Sequence, residues 1–301
     1  MLNHPYVLST EVRKEEAGLM VKDIVYGRLN LSRGLLRRMK RGGGVYLNGT
    51  RDYLTRRVKA GDLIQIVFYD EKTDMEPQNI AINIVYEDDY LLIVNKDAGM
   101  PVHPTGAYQD GTLANAIAYY WEKKGLDTKV RLVHRLDKDT SGLILVAKEP
   151  YTLQRLLQQL GRGLLVREYL AIVEGRLLRQ HGVLTGSIGR SWDHGVKRAV
   201  TEDGKEARTV YQVLSASTRS TLVRARLESG RTHQIRVHFS DLGHPVLGDP
   251  LYGQPVPGIL GQALHAWRLE FVHPRTGHEH VITAPLPREM LELWKKYGRD
   301  Q

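Results

Sequence analysis

The sequence predicts an α+β protein in which a small α+β domain precedes a larger domain built on a mixed, mainly antiparallel central sheet. The first observation is an unbroken apolar run, residues 143–146, which is typical of a strand buried on both faces. The second is helical spacing of apolar residues in three segments: 112–124, 151–160 and 287–297. The third is a polar, aperiodic segment, 71–83, which predicts a linker between domains at 1–70 and 84–301.

The charge of the chain indicates a polyanionic partner. Its 301 residues carry 43 Lys and Arg against 34 Asp and Glu, and this net charge of +9 favours nucleic acid or an anionic membrane surface. No run approaches the ~18 apolar residues of a membrane-spanning helix, and no secretory signal is visible at the N-terminus. The lack of cysteine excludes disulfides, thiolate nucleophiles and cysteine-ligated zinc. We expect a cytoplasmic protein that acts on nucleic acid, without a membrane partner.

The first domain contains a predicted amphipathic helix over 31–41, ended by three glycines and followed by strand-like runs over 45–49 and 58–67. Four basic residues share one face of this helix, at relative positions i, i+4, i+7 and i+8: Arg33, Arg37, Lys40 and Arg41. Two interpretations of this face are open. It is either ordinary solvated surface or a surface that binds a polyanion.

This order of helix and strands resembles the small alpha-L RNA-binding domain of a ribosomal small-subunit protein and of many RNA-modifying enzymes. Four matching segments carry the resemblance: Leu31-Ser-Arg33, Val45, Asn48-Gly49 and Gly61-Asp62. The resemblance implies that the basic helix face contacts RNA phosphates, which gives binding a steep dependence on salt.

A polar cluster precedes the apolar run at 143–146 in the second domain. It contains Asp137 and Asp139, and the Asp-Thr-Ser-Gly sequence from Asp139 predicts a tight turn. Asp137 is therefore expected on a turn at the mouth of a buried strand, which can hold a carboxylate rigidly while leaving it open to a ligand. The alternative is that Asp137 and Asp139 only stabilise the turn through backbone hydrogen bonds.

A second polar segment begins at Gln234. Its polar and apolar residues alternate with period 2. In a strand, Ile235, Val237 and Phe239 would lie on one face, and Gln234, Arg236 and His238 would lie on the other. We predict a strand here, and its polar face is expected to line a wet cleft. Residues 185–205 are rich in Gly, Arg and His without periodicity, and we interpret them as a mobile loop near the ligand.

Two motifs in these segments resemble signatures of the RluA-type pseudouridine synthases, in the expected order. They are His134-Arg-Leu-Asp-x-x-Thr-Ser-Gly142 and Gly230-Arg-Thr-His-Gln-Ile-Arg-x-His238. Asn95-Lys-Asp-Ala-Gly-Met-Pro-Val-His-Pro104 is similar to a further family motif, although Asp97 stands where proline is usual. The resemblance implies the pseudouridine synthase fold and an isomerase that converts specific uridines of structured RNA without a cofactor. It favours large-subunit ribosomal RNA, with transfer RNA as the alternative, and we expect a monomer.

The resemblance also implies roles for individual residues. Asp137 would be the catalytic carboxylate, Arg236 the basic residue that meets it, and Tyr169 the ring that stacks on the target base. Arg135 would fill the gap left by the flipped-out base, and His134 and Lys96 would contact the RNA. For three of these residues a simpler alternative stays open: Tyr169 as core, Arg135 as a surface phosphate contact, and Lys96 as a loop residue without a ligand.

Other classes of protein explain less of the sequence. A glycoside hydrolase needs two carboxylates, for which Asp137 and Asp139 are available, but the chain has only 4 Trp and 3 Phe to bind a sugar. A non-catalytic RNA-binding or ribosome-assembly protein would not need the Asp137 motif. A metal site is not expected, because His233 and His238 would face opposite ways on a strand.

Overall fold

Two β-sheets organise the protein in the computed structural model, which describes residues 6–39, 43–68, 73, 75–106, 108–126, 128–191 and 195–299. The first sheet has four strands in the order β1-β4-β2-β3, with bounds β1 (Tyr6–Glu11), β2 (Gly44–Leu47), β3 (Thr50–Asp52) and β4 (Leu63–Phe68). A 3-10 turn (Lys14–Glu16) and two short helices accompany it, α1 (Val21–Tyr26) and α2 (Arg33–Met39). A turn at Asn48 and Gly49 joins β2 to β3, and both residues adopt the positive φ that such a turn requires, 52° and 80°.

The second sheet contains eleven strands of the described chain. Their bounds are β5 (Asn83–Glu87), β6 (Leu91–Lys96), β7 (Arg131–Leu132), β8 (Ser141–Ala147), β9 (Val166–Glu174), β10 (His181–Arg190), β11 (Arg198–Val200), β12 (Lys205–Ala216), β13 (Ser220–Leu227), β14 (Leu264–Val272) and β15 (Glu279–Thr283). The main path is β11-β10-β12-β13-β9-β14-β8-β6-β5, with β15 beside β14 and β7 beside β8. Its one parallel pair in the described chain is β14 with β8, so the predicted mixed, mainly antiparallel sheet is confirmed.

Four helices pack on the second sheet: α3 (Leu113–Lys123), α4 (Pro150–Gly161), α5 (Gln234–Asp241) and α6 (Arg288–Tyr297). Every residue of β8 is buried, as the apolar run predicted. Ile144 and Val146 face the core cluster that includes residues of α3 and α6, while Leu143 and Leu145 face the cluster that includes Leu156 of α4. Two apolar layers therefore hold β8, and the loop that precedes β8 starts from a rigid base.

The small sheet packs against α4. Tyr151 of α4 joins the apolar cluster of the first sheet, and the backbone NH of Ser32 donates to Gln154 at 2.8 Å. The carbonyl of Asn30 accepts from Gln154 at 2.8 Å and from Gln158 at 3.2 Å. Leu157 of α4 faces away from this contact and is 44% exposed.

The predicted strand from Gln234 is wrong, because these residues form α5. His233 begins the helix in the left-handed conformation (φ 59°), and all six residues from Gln234 to Phe239 are buried. The alternation of polar and apolar residues did not mark two faces, because the polar residues of α5 are buried together with the apolar ones. Gln234 donates to the carbonyl of Arg208 and to the hydroxyl of Thr209, so its amide is hydrogen-bonded inside the protein and does not have to face solvent.

The predicted mobile loop at 185–205 is also wrong. Residues 187–190 lie in β10, and β10 pairs with the short strand β11 in an antiparallel hairpin. Gly186 and Gly189 obscured the strand in the sequence, but they lie where side chains of the partner segment, Val200 and Thr201, need space. Residues 192–194 lie outside the described residues. In the ranges that the structure describes, no helix is both long and apolar enough to cross a membrane.

Candidate active site

Asp137 lies in the loop between β7 and β8, and the backbone fixes its position. Its carbonyl accepts a hydrogen bond from the backbone NH of Thr140 at 3.1 Å, which closes the predicted turn. The Thr140 hydroxyl accepts in turn from Gln262 at 2.8 Å, so the turn is tied to the segment before β14. The side chain of Asp137 is 19% exposed, and a ligand in the adjoining cleft can therefore reach it.

The start of β8 approaches β14 very closely. Gly142 has φ 110°, and a Cβ atom built there would lie 2.3 Å from the carbonyl oxygen of Ala266. Beside it, the Ser141 hydroxyl lies 2.9 Å from Nδ1 of His265. Burial lowers the pKa of His265 to about 4, which keeps its ring neutral at pH 7. Glycine is required here because any side chain would separate the strands that support the Asp137 turn.

Arg236 of α5 links Asp137 to a second carboxylate, Asp249. Its Nη1 donates to Oδ2 of Asp137 at 3.0 Å. Its Nε and Nη2 donate to the two oxygens of Asp249 at 2.6 and 2.8 Å. Asp249 is fully buried, and its Oδ1 also accepts from the backbone NH groups of Leu251 and Tyr252. Burial alone would lower the pKa of Arg236, but the two carboxylates outweigh it and raise the pKa above its ordinary value.

His233 and Tyr252 complete the surroundings of this pair. Nε2 of His233 lies 3.9 Å from Oδ2 of Asp137, and its Nδ1 lies 2.9 Å from the Tyr252 hydroxyl. The guanidinium of Arg236 stacks over the Tyr252 ring, 5.0 Å from its centroid. Burial lowers the pKa of His233 and raises that of Tyr252 to about 12, so both groups are neutral at pH 7 and leave the local charge to Asp137, Arg236 and Asp249.

Asp137, His233 and Arg236 border a cleft of about 480 Å³. It is lined by residues of the β7–β8 loop, β9, the segment from Leu227 to Thr232 and α5. The structure brings five predicted site residues to its walls: His134, Arg135, Asp137, Tyr169 and Arg236. Asp139, the second carboxylate that a glycosidase would need, does not line it and packs against Gly261 instead.

Tyr169 and Arg135 differ in their exposure. Tyr169 on β9 is 4% exposed, and burial raises its pKa, so it presents a neutral ring to the cleft. Arg135 is exposed at the rim, two residues before Asp137, and is free of the core. The ring therefore lies inside the cleft and the guanidinium at its entrance.

His134 and Lys96 are placed differently from the predicted RNA contacts. His134 is buried, and its Nε2 accepts from the backbone NH of Leu145 at 3.2 Å. Burial, assisted by the charge of Arg167, lowers the pKa of His134 to about 3, so the ring carries no charge for a phosphate. Lys96 is 2% exposed and donates to the carbonyls of Asp97, Met100 and Lys138. All three of its N–H groups are thus occupied, and the last bond holds the Asp137 turn.

The predicted basic face beside the first sheet belongs to α2. Arg33 and Arg37 are exposed, and the guanidinium of Arg33 lies 5.9 Å from the centre of the Tyr26 ring. The opposite face of α2 is buried through Leu35 and Leu36, as predicted. Lys40 and Arg41, predicted on the same basic face, lie outside the described residues.

Sequence reasoning missed Asp249, Tyr252 and Arg167. Asp249 and Tyr252 lie between α5 and β14, outside the motifs from which the site was predicted. Their neighbour Arg236 could have signalled them, since a buried arginine needs more than one acceptor. No group of three or more metal-ligating side chains occurs in the described part of the chain.

The site thus combines one partly exposed carboxylate, a buried arginine that orients it, and an aromatic ring in a cleft of a mixed sheet. This arrangement suits an enzyme that works on an extruded base with a single carboxylate. A family model for RNA pseudouridylate synthase matches residues 90–241.

Similar proteins agree with this class. The chain is 39% identical over 272 residues to an uncharacterized RNA pseudouridine synthase, YjbO, of Bacillus subtilis, covering 89% of this chain and 96% of YjbO. It is 41% identical to the ribosomal large subunit pseudouridine synthase D of Nitrosomonas europaea, covering 79% and 72% of the two chains. The structure of human RNA pseudouridylate synthase domain containing 4 aligns with a TM-score of 0.60 at 25% identity, covering 71% and 92%.

The chain belongs to the RNA pseudouridine synthase family. It is therefore an isomerase that acts on RNA, and the α+β fold predicted from the sequence is that of this family.

Proposed function

We propose that this protein isomerises specific uridines of large-subunit ribosomal RNA, with Asp137 as its catalytic carboxylate. One observation carries the assignment of Asp137. It is a partly exposed cleft carboxylate that is held by Arg236, which Asp249 anchors from the opposite side. The ribosomal substrate is supported by the similarity to the ribosomal large subunit pseudouridine synthase D of Nitrosomonas europaea.

The reaction breaks the bond between C1′ of the ribose and N1 of uracil and forms a bond between C1′ and C5. C5 loses a proton and N1 gains one, so no oxidant, reductant or donor group is consumed. Asp137 would attack C1′, attack the ring or remove a sugar proton, and each route needs the carboxylate beside a flipped-out nucleotide. Arg236 fixes the direction of that carboxylate, because two of its three nitrogens are already committed to Asp249.

The remaining roles follow from position. Tyr169 would stack on the uracil, a contact of about 1–3 kcal/mol in base-stacking sites. Arg135, exposed at the rim, would occupy the gap left in the RNA. Arg33 and Arg37 would bind phosphates as part of an RNA-binding domain at 1–70, joined by 71–83 to a catalytic domain at 84–301. We propose that the protein acts as a monomer.

Pseudouridine mapping tests the substrate and the catalytic residue together. Total RNA from cells with and without the gene would be compared at every uridine by mass labelling, and the deletion would be complemented with wild-type protein or Asp137→Asn. We expect loss of one or a few sites in large-subunit ribosomal RNA, restored only by the wild type. Loss of sites in transfer RNA instead would overturn the ribosomal substrate, and restoration by Asp137→Asn would overturn the role of Asp137.

A further inference from the structure

Arg167 is a cleft residue to which the proposed mechanism gives no task. It lies on β9 two residues before Tyr169, so both side chains leave the strand on the same face. It is 8% exposed and lines the same cleft as Asp137 and Tyr169. The protein has therefore placed a permanent positive charge in the wall of the cleft and removed most of it from solvent.

Among the residues that the structure describes, the charge of Arg167 has no counter-ion. Its Nη2 donates to the carbonyl of Ser229 at 3.1 Å, and its Nε is buried without a hydrogen-bond partner. No ion pair within 4.0 Å joins Arg167 to a carboxylate of the described chain, whereas the buried Arg236 has two such pairs and the half-buried Arg275 has one. Arg167 is thus a buried cation with one backbone acceptor.

Such a cation is costly unless something else supplies the missing negative charge. A buried charge that is neither paired nor fully hydrogen-bonded disfavours the folded state, so native proteins rarely retain one without a ligand. The space around Arg167 is kept open by Gly230, where an added Cβ atom would lie 3.1 Å from Nη1. The guanidinium therefore has N–H groups without an acceptor, a neighbouring glycine that leaves room beside Nη1, and access to the cleft.

We propose that Arg167 is a phosphate-binding subsite, which takes a backbone phosphate of the RNA next to the flipped-out uridine. A phosphodiester supplies one full negative charge and two oxygens for the planar guanidinium fork. A uracil oxygen carries only a partial charge and would leave the cation uncompensated when the RNA binds. The subsite rests on the RNA substrate of the enzyme and not on the choice of ribosomal RNA.

Kinetics on total RNA from cells that lack the gene test the subsite, because this pool contains the natural substrate whatever its identity. Initial rates of pseudouridine formation would be measured at limiting RNA between 50 and 200 mM KCl. The proteins would be wild type, Arg167→Met, Arg167→Lys, Gly230→Ala and a control, Arg226→Gln, which removes an exposed arginine from the neighbouring strand β13.

We expect Arg167→Met to lower kcat/KM about 10- to 100-fold, as for the loss of a hydrogen bond to a charged group. Its slope of log kcat/KM against log salt should be shallower by about one, the signature of a lost phosphate contact. Arg167→Lys should keep the slope, because it keeps the charge. Gly230→Ala should lower kcat/KM because its methyl group crowds Nη1, and Arg226→Gln should match the wild type.

Thermal melting without RNA separates this role from a structural one. Removing an uncompensated buried charge should leave the melting temperature of Arg167→Met equal to or above that of the wild type. If Arg167→Met melted several degrees lower with an unchanged salt slope, Arg167 would serve only to stabilise the fold through the Ser229 carbonyl. That result would overturn the subsite. If Arg167→Met lowered only kcat and left the salt slope unchanged, Arg167 would act on the base and not on a phosphate. That result would also overturn the subsite.

Discussion

Asp249 receives two hydrogen bonds from Arg236, at 2.6 and 2.8 Å, and leaves only Nη1 of that arginine to meet Asp137 at 3.0 Å. Asp249 is itself oriented by backbone NH groups of Leu251 and Tyr252. The direction of the Asp137 carboxylate is therefore set by a loop more than a hundred residues further along the chain. This relay explains how a side chain on a turn can be held rigidly while it remains open to the cleft.

Replacing Asp249 with Asn should impair both folding and activity. The amide cannot neutralise Arg236, and breaking a buried ion pair by removing one partner typically costs about 3–5 kcal/mol. We expect a loss of that order in the free energy of urea unfolding, and a fall in kcat because Arg236 no longer points reliably at Asp137. Glu292→Gln, which breaks an exposed pair with Lys295, is the control and should change stability by less than about 1 kcal/mol. Wild-type stability of Asp249→Asn would contradict the relay.

Replacing Asp137 with Asn should abolish activity without unfolding the protein. We expect the rate of pseudouridine formation to fall by about 10³-fold or more, the order found when a catalytic carboxylate or nucleophile is removed. Stability should change by about 1 kcal/mol or less, because Arg236 retains Asp249 and Asp137 is partly solvated. Asp139→Asn lies in the same turn but outside the cleft, and should remain active. Equal losses in both variants would show that the turn, and not the carboxylate, matters.

Replacing Lys96 and replacing the exposed arginines of α2 should have different effects on the salt dependence of RNA binding. The double variant Arg33→Gln/Arg37→Gln should reduce the slope of log affinity against log salt by about two, because each arginine would contact one phosphate. Lys96→Met should leave the slope unchanged, since its ammonium is fully occupied by three carbonyls. It should instead lower kcat and stability by freeing the carbonyl of Lys138 beside Asp137. A reduced slope for Lys96→Met would restore the RNA contact predicted from the sequence.

The buried histidines next to the Asp137 loop should make the fold sensitive to acid. Burial lowers the pKa of His265 to about 4 and, with the charge of Arg167, that of His134 to about 3. Below pH 6.5 the unfolded chain takes up protons that these rings do not, so stability is full above pH 6.5 and falls as pH drops towards 4. Urea unfolding between pH 7.5 and 4.5 measures this loss.

The variant His265→Gln isolates one of these groups. Gln can still bond Ser141 but does not titrate, so the variant should lose about 2 kcal/mol less than the wild type between pH 7.5 and 4.5. Parallel pH curves for the two proteins would mean that His265 is already protonated or exposed in the folded state.

Local sequence patterns predicted two kinds of element. These are helices with one buried and one exposed face, and strands formed by a continuous apolar run. The apolar run gave β8, and Thr112 with regularly spaced apolar residues gave α3. The pattern failed at α5, where Gln234, Arg236 and His238 are buried with their partners, so polarity no longer marks the solvent side. Periodicity assumes that polar residues face water, and an active site is where this assumption is least valid.

The two motifs located residues that lie together in the structure, whereas the partners that orient them come from other segments of the chain. Asp137 and Arg236 do meet, although they are 99 residues apart. Asp249 could not be found by spacing, because seven loop residues separate α5 from it and loop geometry is not periodic. For Lys96 and His134, burial weighs against the predicted RNA contact, because a basic residue type in a motif indicates charge but burial decides whether that charge reaches a ligand.

Gly142→Ala should separate the two strands that carry the Asp137 turn. An added methyl group would lie 2.3 Å from the carbonyl oxygen of Ala266, and φ at this position is 110°, which non-glycine residues avoid. We expect the free energy of unfolding to fall by about 3 kcal/mol or more, from backbone strain of about 1–3 kcal/mol together with loss of the β8–β14 pairing. The control is Gly125→Ala, which also has positive φ (71°) but no atom within 4 Å of the new methyl, and should cost only the strain.

The same pair of variants tests whether that backbone contact matters for catalysis. Any folded Gly142→Ala protein should have a lower kcat, because the displaced β8 moves the turn that Thr140 and Ser141 hold against the segment leading into β14. Gly125→Ala, at the end of α3, should retain the wild-type kcat once it is folded. Measuring kcat per folded molecule, with the folded fraction taken from urea titrations, separates the two effects. Equal kcat in both variants would mean that the turn keeps its geometry without the close contact, and that Gly142 serves stability alone.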